Sequence, residues 1–355
     1  MKKNKRSIKI AARAGIVLAI LAAAVGGGYF LLWQLGRISL LRGAVSKAPS
    51  LTGDAPAQEE LPEQIWEEDW IRYQGGVYAY NEKIRTFLFM GIDVKGGLGE
   101  EQTGLNSGQA DALFLLVMDQ DTKRLTVIGI DRNTMADFDM YDENGKYIST
   151  VYAQIALAHG YGDGRVLSAE NTVKAVSGLL YDIPIHGYCA ANMEAIVYMN
   201  DAVGGVDVVS TEEIQTRYYR FRKGEPYHLI GDLAYWYLRH RDVGQEESAR
   251  GRLERQKQYL TAYVRQAKKA LRQEVTLPAR IFRGISQYMV TDITLEEAVY
   301  LASSAAGYSF SEEDLLLIPG TTDLTKEYDE FYPDEAQLKD MIINVFYVPV
   351  ETDGK

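Results

Sequence analysis

Three short apolar runs decide the fold of this 355-residue chain: TFLFMGI at residues 86–92, ALFLLVMD at 112–119 and LTVIGI at 125–130. Nearly continuous apolar runs of this length indicate buried central strands, and the turn at residues 120–123 predicts that the second and third form a hairpin. Helical patterns follow at residues 168–180, with Ser168 as predicted N-cap, and at 192–200, 231–238, 250–271 and 294–304. A turn and strand are expected at 204–208, and a last strand near 314–318. Helices that alternate with an apolar sheet predict an α/β protein, with α/β/α layers around a central mixed sheet.

One N-terminal segment has the length of a membrane anchor. Residues 14–35 are free of charge, and 22 helical residues can cross a hydrocarbon core of about 30 Å. Six basic residues precede this run, so the positive-inside rule predicts a cytoplasmic N-terminus and an extracytoplasmic remainder, in a single-pass protein of the cell membrane. The alternative is a cleaved signal peptide, but the run is long and its end, YFLLW at residues 29–33, is a poor cleavage site.

The chain divides by composition into five predicted parts. The boundaries are a basic cytoplasmic tail at 1–13, a transmembrane helix at 14–35, an extracytoplasmic linker at 36–65, the main folded domain at 66–320 and an acidic C-terminal tail at 321–355. The linker prediction rests on three prolines among small and polar residues without an apolar period.

The charge of the chain is unevenly distributed. The formal net charge is −11, but residues 1–42 carry eight basic and no acidic residues, which leaves 30 basic against 49 acidic residues and a net of −19 elsewhere. Such a body has no general attraction for nucleic acid, so any anion must bind at a locally built basic site. The chain has a single cysteine, Cys189, and four histidines without metal-ligand spacing, a composition that argues against a zinc site.

One basic cluster stands out in the acidic body. Five arginines fall within 17 residues: Arg239, Arg241, Arg250, Arg252 and Arg255. Helical spacing places Arg252, Arg255 and Gln256 on one face. Converging guanidinium groups bind phosphate oxygens bidentately and stay charged, which suits a pyrophosphate ligand. The alternative is a solvated helix face that pairs with neighbouring glutamates.

Polar residues also follow the predicted strands. Asp93 follows the first, Asp111 opens the second and Arg132 ends the third, so all three are expected at one rim of the sheet, where ligands of α/β proteins usually bind. Two carboxylates there could hold Mg²⁺ against phosphate oxygens. The alternative reading is two turn aspartates with Arg132 as their ion-pair partner.

An ordered set of motifs between about residues 86 and 270 resembles the LytR-CpsA-Psr family: FLFMGID, ADALFLLVMD, IGIDRNTM, HGYGDG, NTVKAVSGLLYDIPI, NDAVGGVDV, LIGDLAYWYLRHRD and GRLERQ. The resemblance implies an α/β/α domain outside the bacterial membrane that moves a phosphate-linked glycopolymer, of teichoic acid or capsular polysaccharide type, from a polyprenyl-pyrophosphate carrier to peptidoglycan. It also implies Mg²⁺ as cofactor and an apolar pocket for the lipid tail between sheet and helices.

The same resemblance assigns roles to individual residues. Asp93 and Asp111 match aspartates that would serve the metal, and one of them would deprotonate the acceptor hydroxyl. The residues matching the family's pyrophosphate-binding positions are Arg132, Arg239, Arg241, Arg252, Arg255 and Gln256. Asp93, Asp111, Arg132 and Arg239 are the implied catalytic residues.

The chain departs from the family pattern at two motifs. The family's Arg-Ser-Asp-Thr is here QADA at residues 109–112, so Gln109 replaces an arginine, and Pro-Arg-Asp is here DRN at 131–133. Losing a charge-assisted phosphate contact costs roughly 2–5 kcal/mol. Gln109 and Asn133 therefore motivate a second possible function, a non-catalytic binder of lipid-linked or wall glycan. A third is a polyprenyl-pyrophosphate hydrolase, which releases phosphate to water.

Overall fold

The computed structural model describes residues 26–40, 49–51, 70–94, 96–98, 108–240 and 248–350. Its centre is a six-stranded sheet in the order β13-β8-β3-β4-β5-β14. The strands are β3 (Ile84–Ile92), β4 (Ala110–Asp119), β5 (Arg124–Ile130), β8 (Tyr188–Asn192), β13 (Met289–Thr291) and β14 (Leu315–Leu317). β3 pairs with β8, and β5 with β14, in parallel, whereas the other neighbours are antiparallel. The three predicted central strands, their hairpin and the mixed sheet are confirmed.

Helices flank the sheet on both faces. Their bounds are α1 (26–40), α2 (Leu157–Gly160), α3 (Val166–Leu179), α4 (Met193–Ala202), α5 (Asp232–Arg239), α6 (Ser248–Gln273), α7 (Leu277–Ile285), α8 (Leu295–Ala305) and α9 (Glu335–Phe346). The predicted helices are all present within a few residues. Ser168, however, is not an N-cap, because α3 begins two residues earlier and the buried Ser168 hydroxyl accepts the Gly164 amide hydrogen at 2.7 Å.

The alternation of side chains along each strand divides the core between the two faces. Leu88, Met90 and Leu113 belong to the main core cluster, together with buried residues of α3 and α9. Phe89 and Phe114 point to the opposite face, which α4, α6, α7 and α8 cover. Because successive side chains of a strand alternate, each apolar run supplies both faces, which explains why these runs are nearly continuous.

Shorter strand pairs surround the central sheet. They are β1 (Trp70–Tyr73) with β2 (Gly76–Tyr80) and β17 (Tyr347–Pro349), β6 (Met135–Tyr141) with β7 (Tyr147–Gln154), β9 (Val206–Val209) with β12 (Pro226–Leu229), β10 (Ile214–Gln215) with β11 (Arg220–Phe221), and β15 (Gly320–Asp323) with β16 (Glu330–Pro333). β9 confirms the strand expected at 204–208, and β14 the one near 314–318, although β14 is not the last strand.

The segment predicted as an acidic C-terminal tail is folded. Residues 320–349 form β15, β16, α9 and β17, and Leu338, Ile342 and Phe346 of α9 are buried in the main core. β17 completes the sheet with β2 by pairing Tyr347 with Tyr80. The folded domain therefore continues past the predicted boundary at residue 320, because α9 covers core surface that would otherwise be exposed.

The predicted anchor and linker are described only in part. Residues 26–35 of the predicted span are helical. Residues 14–25 of the span and the predicted cytoplasmic tail, residues 1–13, lie outside the described ranges. Among the described residues, no helix is long and apolar enough to cross a membrane. The predicted linker is not extended throughout: residues 36–40 belong to α1, and Leu51 is buried in the main core.

α1 packs on α8. The Tyr29 hydroxyl lies 2.7 Å from Ser303 Oγ, and the rings of Trp33 and Tyr300 lie 5.5 Å apart. Gly36 touches the α8 backbone so closely that an added Cβ would lie 2.0 Å from the Glu296 carbonyl oxygen. The two helices therefore run antiparallel with direct backbone contact.

Candidate active site

Gln109 brings the two predicted aspartates together. Its carbonyl oxygen accepts the amide hydrogens of both Asp93 and Asp111, each at 3.1 Å, and its own amide donates to Asp93 Oδ1 at 2.8 Å. The register between β3 and β4 shifts at this point, between Gly91 and Ile92. Gly108 precedes the bulge with φ +79°, and a Cβ there would lie 2.2 Å from Val94. The backbones of both aspartates are thus held at one end of the central sheet, the rim at which the sequence placed them.

Asp111 lies between two guanidinium groups. Its Oδ1 is 2.5 Å from Arg132 Nη1 and its Oδ2 is 3.4 Å from Arg252 Nη1. The side chain of Arg252 is only 9% exposed, and that of Arg132 is 20% exposed. Arg132 also donates a hydrogen bond to the side-chain oxygen of Gln109. Asp111 thus aligns two guanidinium groups at this rim, where they can contact the oxygens of a bound phosphate.

Arg239 lies at the end of α5 and contributes to the same rim. It is exposed, lines the cavity that Asp93, Asp111 and Arg252 also line, and donates to the hydroxyl of Tyr235. Its guanidinium carbon lies 5.5 Å from the centre of the Tyr235 ring, so a cation–π interaction stabilises the charged side chain. Arg241, predicted as its partner, lies outside the described residues, and so does the side chain of Arg250.

Arg255 does not lie at the rim. It is buried, pairs with Glu212, donates to the His240 carbonyl oxygen and lies over the Tyr237 ring. Burial lowers the pKa of Arg255, and Glu212 partly offsets that effect. Arg252 and Gln256 line the cavity, whereas Arg255 is not among its lining residues and its guanidinium group contacts Glu212 and His240. The predicted grouping of all three at the ligand is therefore wrong for Arg255. Its contact with His240 instead anchors the chain directly after Arg239.

An apolar cavity opens from the charged rim. It has a volume of about 270 Å³ and lies between the sheet and helices α4, α5 and α6. A second, almost wholly apolar cavity of about 360 Å³ continues along the same face, between the sheet, α6, α7 and α8. The two cavities share five lining residues: Phe89, Leu116, Met199, Tyr263 and Val264. The arrangement suits an amphiphilic ligand with an anionic head at the rim and a long apolar tail.

Most of the larger cavity was not predicted from the sequence. The apolar residues of the stretch 173–206 divide between the two faces of the sheet: Val173 and Val176 pack in the core on the opposite face, whereas Met199 and Val203 line the cavity. Its remaining walls come largely from α7 and α8. The small residues LASSAA at 301–306 were the available signal, since a run of small side chains leaves room beside a helix.

Magnesium is the predicted cofactor, and the carboxylates of Asp93 and Asp111 are its predicted ligands. No group of three or more metal-ligating side chains occurs in the part of the chain that the structure describes. Mg²⁺ usually takes one or two carboxylates and completes its shell with water and substrate phosphate. Asp93 and Asp111, tied to the same Gln109 carbonyl, fit that pattern, and each carboxylate oxygen has a second lone pair.

Comparison with known proteins gives a consistent result. The model of the LytR_cpsA_psr family matches residues 58–345. The polyisoprenyl-teichoic acid–peptidoglycan teichoic acid transferase TagU of Halalkalibacterium halodurans is 26% identical over 250 residues, 70% of this chain and 74% of that protein. TagU of Oceanobacillus iheyensis is 24% identical over 306 residues, covering 86% of this chain and 84% of its own length.

Solved structures share the fold. The crystal structure of Bacillus subtilis TagV superposes with a TM-score of 0.56 at 23% identity, covering 74% of this chain and 96% of TagV. A structure described as TagT bound to LI-WTA gives a TM-score of 0.53 at 19% identity, covering 74% of this chain and 91% of TagT. At these identities the likeness establishes the fold alone.

Proposed function

The chain belongs to the LytR_cpsA_psr family, and we propose that it is a membrane-anchored, extracytoplasmic transferase. Its reaction moves a phosphate-linked glycopolymer from a polyprenyl-pyrophosphate carrier to peptidoglycan. The printed names of the TagU relatives, which are teichoic acid transferases acting on peptidoglycan, support the class of polymer and acceptor. The charge-free run at residues 14–35, preceded by basic residues, supports the anchor and the extracytoplasmic location.

One observation carries the proposal: a cationic rim opens directly into an apolar cavity. Arg239 and Arg252 line one end of the smaller cavity, Arg132 pairs with Asp111 at the same end, and the larger cavity extends the apolar wall. A sugar phosphate without a lipid would leave this apolar surface unused, and a simple lipid would leave the arginines without an anion. A polyprenyl pyrophosphate uses both.

In the proposed mechanism the arginines hold the pyrophosphate and stabilise its transition state. Arg132 and Arg252, already aligned by Asp111, contact the phosphate oxygens, and the exposed Arg239 binds the part nearer the cavity opening. Asp93 and Asp111 would hold Mg²⁺, which would add charge neutralisation at the pyrophosphate. Phosphoryl transfer is catalysed mainly by positioning and electrostatics, which is what this rim can provide.

The transfer breaks one bond and makes one bond. The acceptor hydroxyl oxygen attacks the phosphorus that carries the glycan, and the bond from that phosphorus to the bridging oxygen breaks. Polyprenyl monophosphate leaves, and the acceptor proton passes to a carboxylate. We assign that role to Asp93, because it is exposed, whereas both oxygens of Asp111 are engaged by arginines.

A non-catalytic glycan binder is the second candidate function, and Gln109 is the observation that favours it. Gln109 stands where the family motif has arginine, and its side chain occupies a hydrogen bond of Arg132. Under this alternative the donor would bind at the rim and remain intact after long incubation with Mg²⁺ and acceptor.

The test is a transfer assay with the full chain in detergent, Mg²⁺, a polyprenyl-pyrophosphate-linked glycan and peptidoglycan. We expect covalent attachment of the glycan, and a loss of about 30-fold or more in Arg239→Ala, equivalent to roughly 2 kcal/mol. Arg222→Ala, at an exposed arginine of the β11 turn, is the matched control. Equal turnover in the two variants would remove Arg239 from the site, and release of glycan to water without acceptor would indicate a hydrolase.

A further inference from the structure

A second basic region lies at the corner between α6 and α7. Residues 265–283 contain six basic residues and one acidic residue, in a body whose net charge is −19. Arg280 pairs with Glu274 at 2.8 Å. The other five, Arg265, Lys268, Lys269, Arg272 and Arg283, are here called the basic corner. Arg265, Lys269 and Arg272 are exposed at spacings i, i+4 and i+7, so they share the outer face of α6.

The basic corner lies at the end of the sheet remote from the charged rim. α6 contacts the rim through Arg252, and sixteen residues later Lys268 donates to the Tyr308 carbonyl oxygen. Sixteen helical residues span about 24 Å. Tyr308 precedes Ser309, which bridges to Arg124 at the start of β5, the strand whose other end leads to Arg132.

α1 and α8 lie at this same end. The predicted membrane span reaches residue 35, yet Tyr29 and Trp33 already contact Ser303 and Tyr300 of α8. If residues 14–35 cross the bilayer, α8 must therefore lie at the bilayer surface. The chain leaves α8 directly for Tyr308, which Lys268 of the basic corner contacts.

The larger apolar cavity is framed by the same elements. Leu271, Pro278 and Phe282 line it from α6 and α7, and Ala302 lines it from α8. Lys268 also lines it. A cationic side chain of the basic corner thus borders the apolar cavity at the end where α1 packs on α8.

We propose that the basic corner binds the anionic headgroups of the bilayer and holds the larger cavity against the membrane surface. The inference rests on the proposed membrane anchoring. Each Lys or Arg near an anionic leaflet adds attraction, so several basic residues strengthen the membrane contact of the end that the packing of α1 on α8 already places near the bilayer. In that orientation the carrier's tail passes between bilayer and cavity while the rim stays about 24 Å away, toward the wall.

The experiment measures membrane proximity in the full chain, reconstituted into lipid nanodiscs that contain a fraction of brominated lipid. A fluorophore is attached at Val275→Cys, which is exposed between α6 and α7, or at Glu143→Cys, in the β6–β7 turn on the opposite face. Burial raises the pKa of the native Cys189 thiol to about 12, so labelling at neutral pH favours the introduced cysteine. The unlabelled parent chain serves as the background control.

In phosphatidylglycerol nanodiscs, quenching at Val275→Cys should exceed that at Glu143→Cys about threefold. It should fall markedly in phosphatidylcholine nanodiscs, and in the triple variant Arg265→Glu, Lys269→Glu, Arg272→Glu, because only the packing of α1 on α8 then holds this end near the bilayer. The matched variant Lys146→Glu, Lys223→Glu, Lys326→Glu should keep it. Equal quenching at both positions, or full quenching in the first triple variant, would overturn the proposal.

The result can be separated from the proposed function. Transfer by the first triple variant in detergent should equal that of the parent, because the rim is remote from the basic corner. If the parent chain shows the expected quenching but transfers no glycan, the proposed membrane contact stands and the proposed transferase activity is rejected. If it transfers glycan but shows no excess quenching at Val275→Cys, the transferase activity stands and the membrane contact is rejected.

Discussion

Replacing Asp111 with asparagine should increase the affinity of the rim for pyrophosphate when no metal is present. In the structure this carboxylate lies 2.5 Å from Arg132 Nη1 and 3.4 Å from Arg252 Nη1, in the place that a phosphate oxygen would take. Two unit negative charges about 5 Å apart at an effective dielectric constant of about 20 repel by about 3 kcal/mol. The Asp111 side chain is 27% exposed, so screening reduces this to about 1–2 kcal/mol, or roughly tenfold in Kd.

Magnesium should reverse the order. If Asp111 helps to hold Mg²⁺, the cation offsets the repulsion between the Asp111 carboxylate and the phosphate. The parent chain should then bind pyrophosphate more tightly than Asp111→Asn does. Isothermal titration of the full chain with geranyl pyrophosphate, once with EDTA and once with Mg²⁺, measures both affinities. Asp137→Asn, an exposed carboxylate on β6, is the matched control and should change neither value.

Two results would refute this reasoning. Weaker binding by Asp111→Asn in EDTA would mean that Asp111 orients the arginines more than it competes with phosphate. An equal gain from Mg²⁺ in the parent and in Asp111→Asn would remove Asp111 from the metal site. Thermal melting of the variant shows that the fold is retained, since Arg252 is nearly buried and loses a charged partner.

Three further predictions follow from single contacts. Gln109→Arg restores the family's arginine beside Arg132 and should tighten geranyl pyrophosphate binding by about 1–2 kcal/mol in the same titration; unchanged or weaker binding would show that Gln109 is adapted to this rim. Val264→Phe narrows the passage between the two cavities and should reduce transfer from long-chain donors about tenfold but leave short-chain donors unaffected; equal losses would place the tail elsewhere. Burial, with a smaller effect of a nearby arginine, lowers the pKa of His186 to about 4, and its Nδ1 accepts the Thr86 amide hydrogen. The unfolded chain therefore takes up a proton first, and stability should fall by roughly 3 kcal/mol between pH 6.5 and 4; chemical denaturation should show a smaller fall in His186→Asn, and an identical pH profile would contradict this assignment.

The central sheet and the rim were predictable because each rests on a local pattern. The apolar runs of β3, β4 and β5 are continuous, since both faces of these strands are buried. Asp93, Asp111 and Arg132 follow or precede those runs directly, so placing the strands side by side also places these side chains together.

Arg255 shows where local pattern is insufficient. Helical spacing groups it with Arg252 and Gln256, but its partner Glu212 is 43 residues away and belongs to a different part of the chain. The spacing of residues along α6 does not predict which other parts of the chain pack against each side of the helix. The cavities are unpredictable for a related reason: a sequence specifies apolar faces, whereas a cavity depends on how closely those faces approach.

The C-terminal segment carried a signal that composition concealed. Leu338, Ile342, Ile343 and Phe346 are spaced for one helical face, and Asp334 caps α9 by accepting the Gln337 amide hydrogen at 3.0 Å. The acidic residues before α9 dominate the average of the segment, so an interpretation from charge predicted a tail. The period of the apolar residues was the better guide to structure here.

The most direct test of the account is an experimental structure of the full chain bound to geranylgeranyl pyrophosphate and Mg²⁺. The account predicts the two phosphates against Arg132, Arg239 and Arg252, with the tail along Phe89 and Val264 from the smaller cavity into the larger one. Phosphates bound away from these arginines, or a tail outside both cavities, would contradict it.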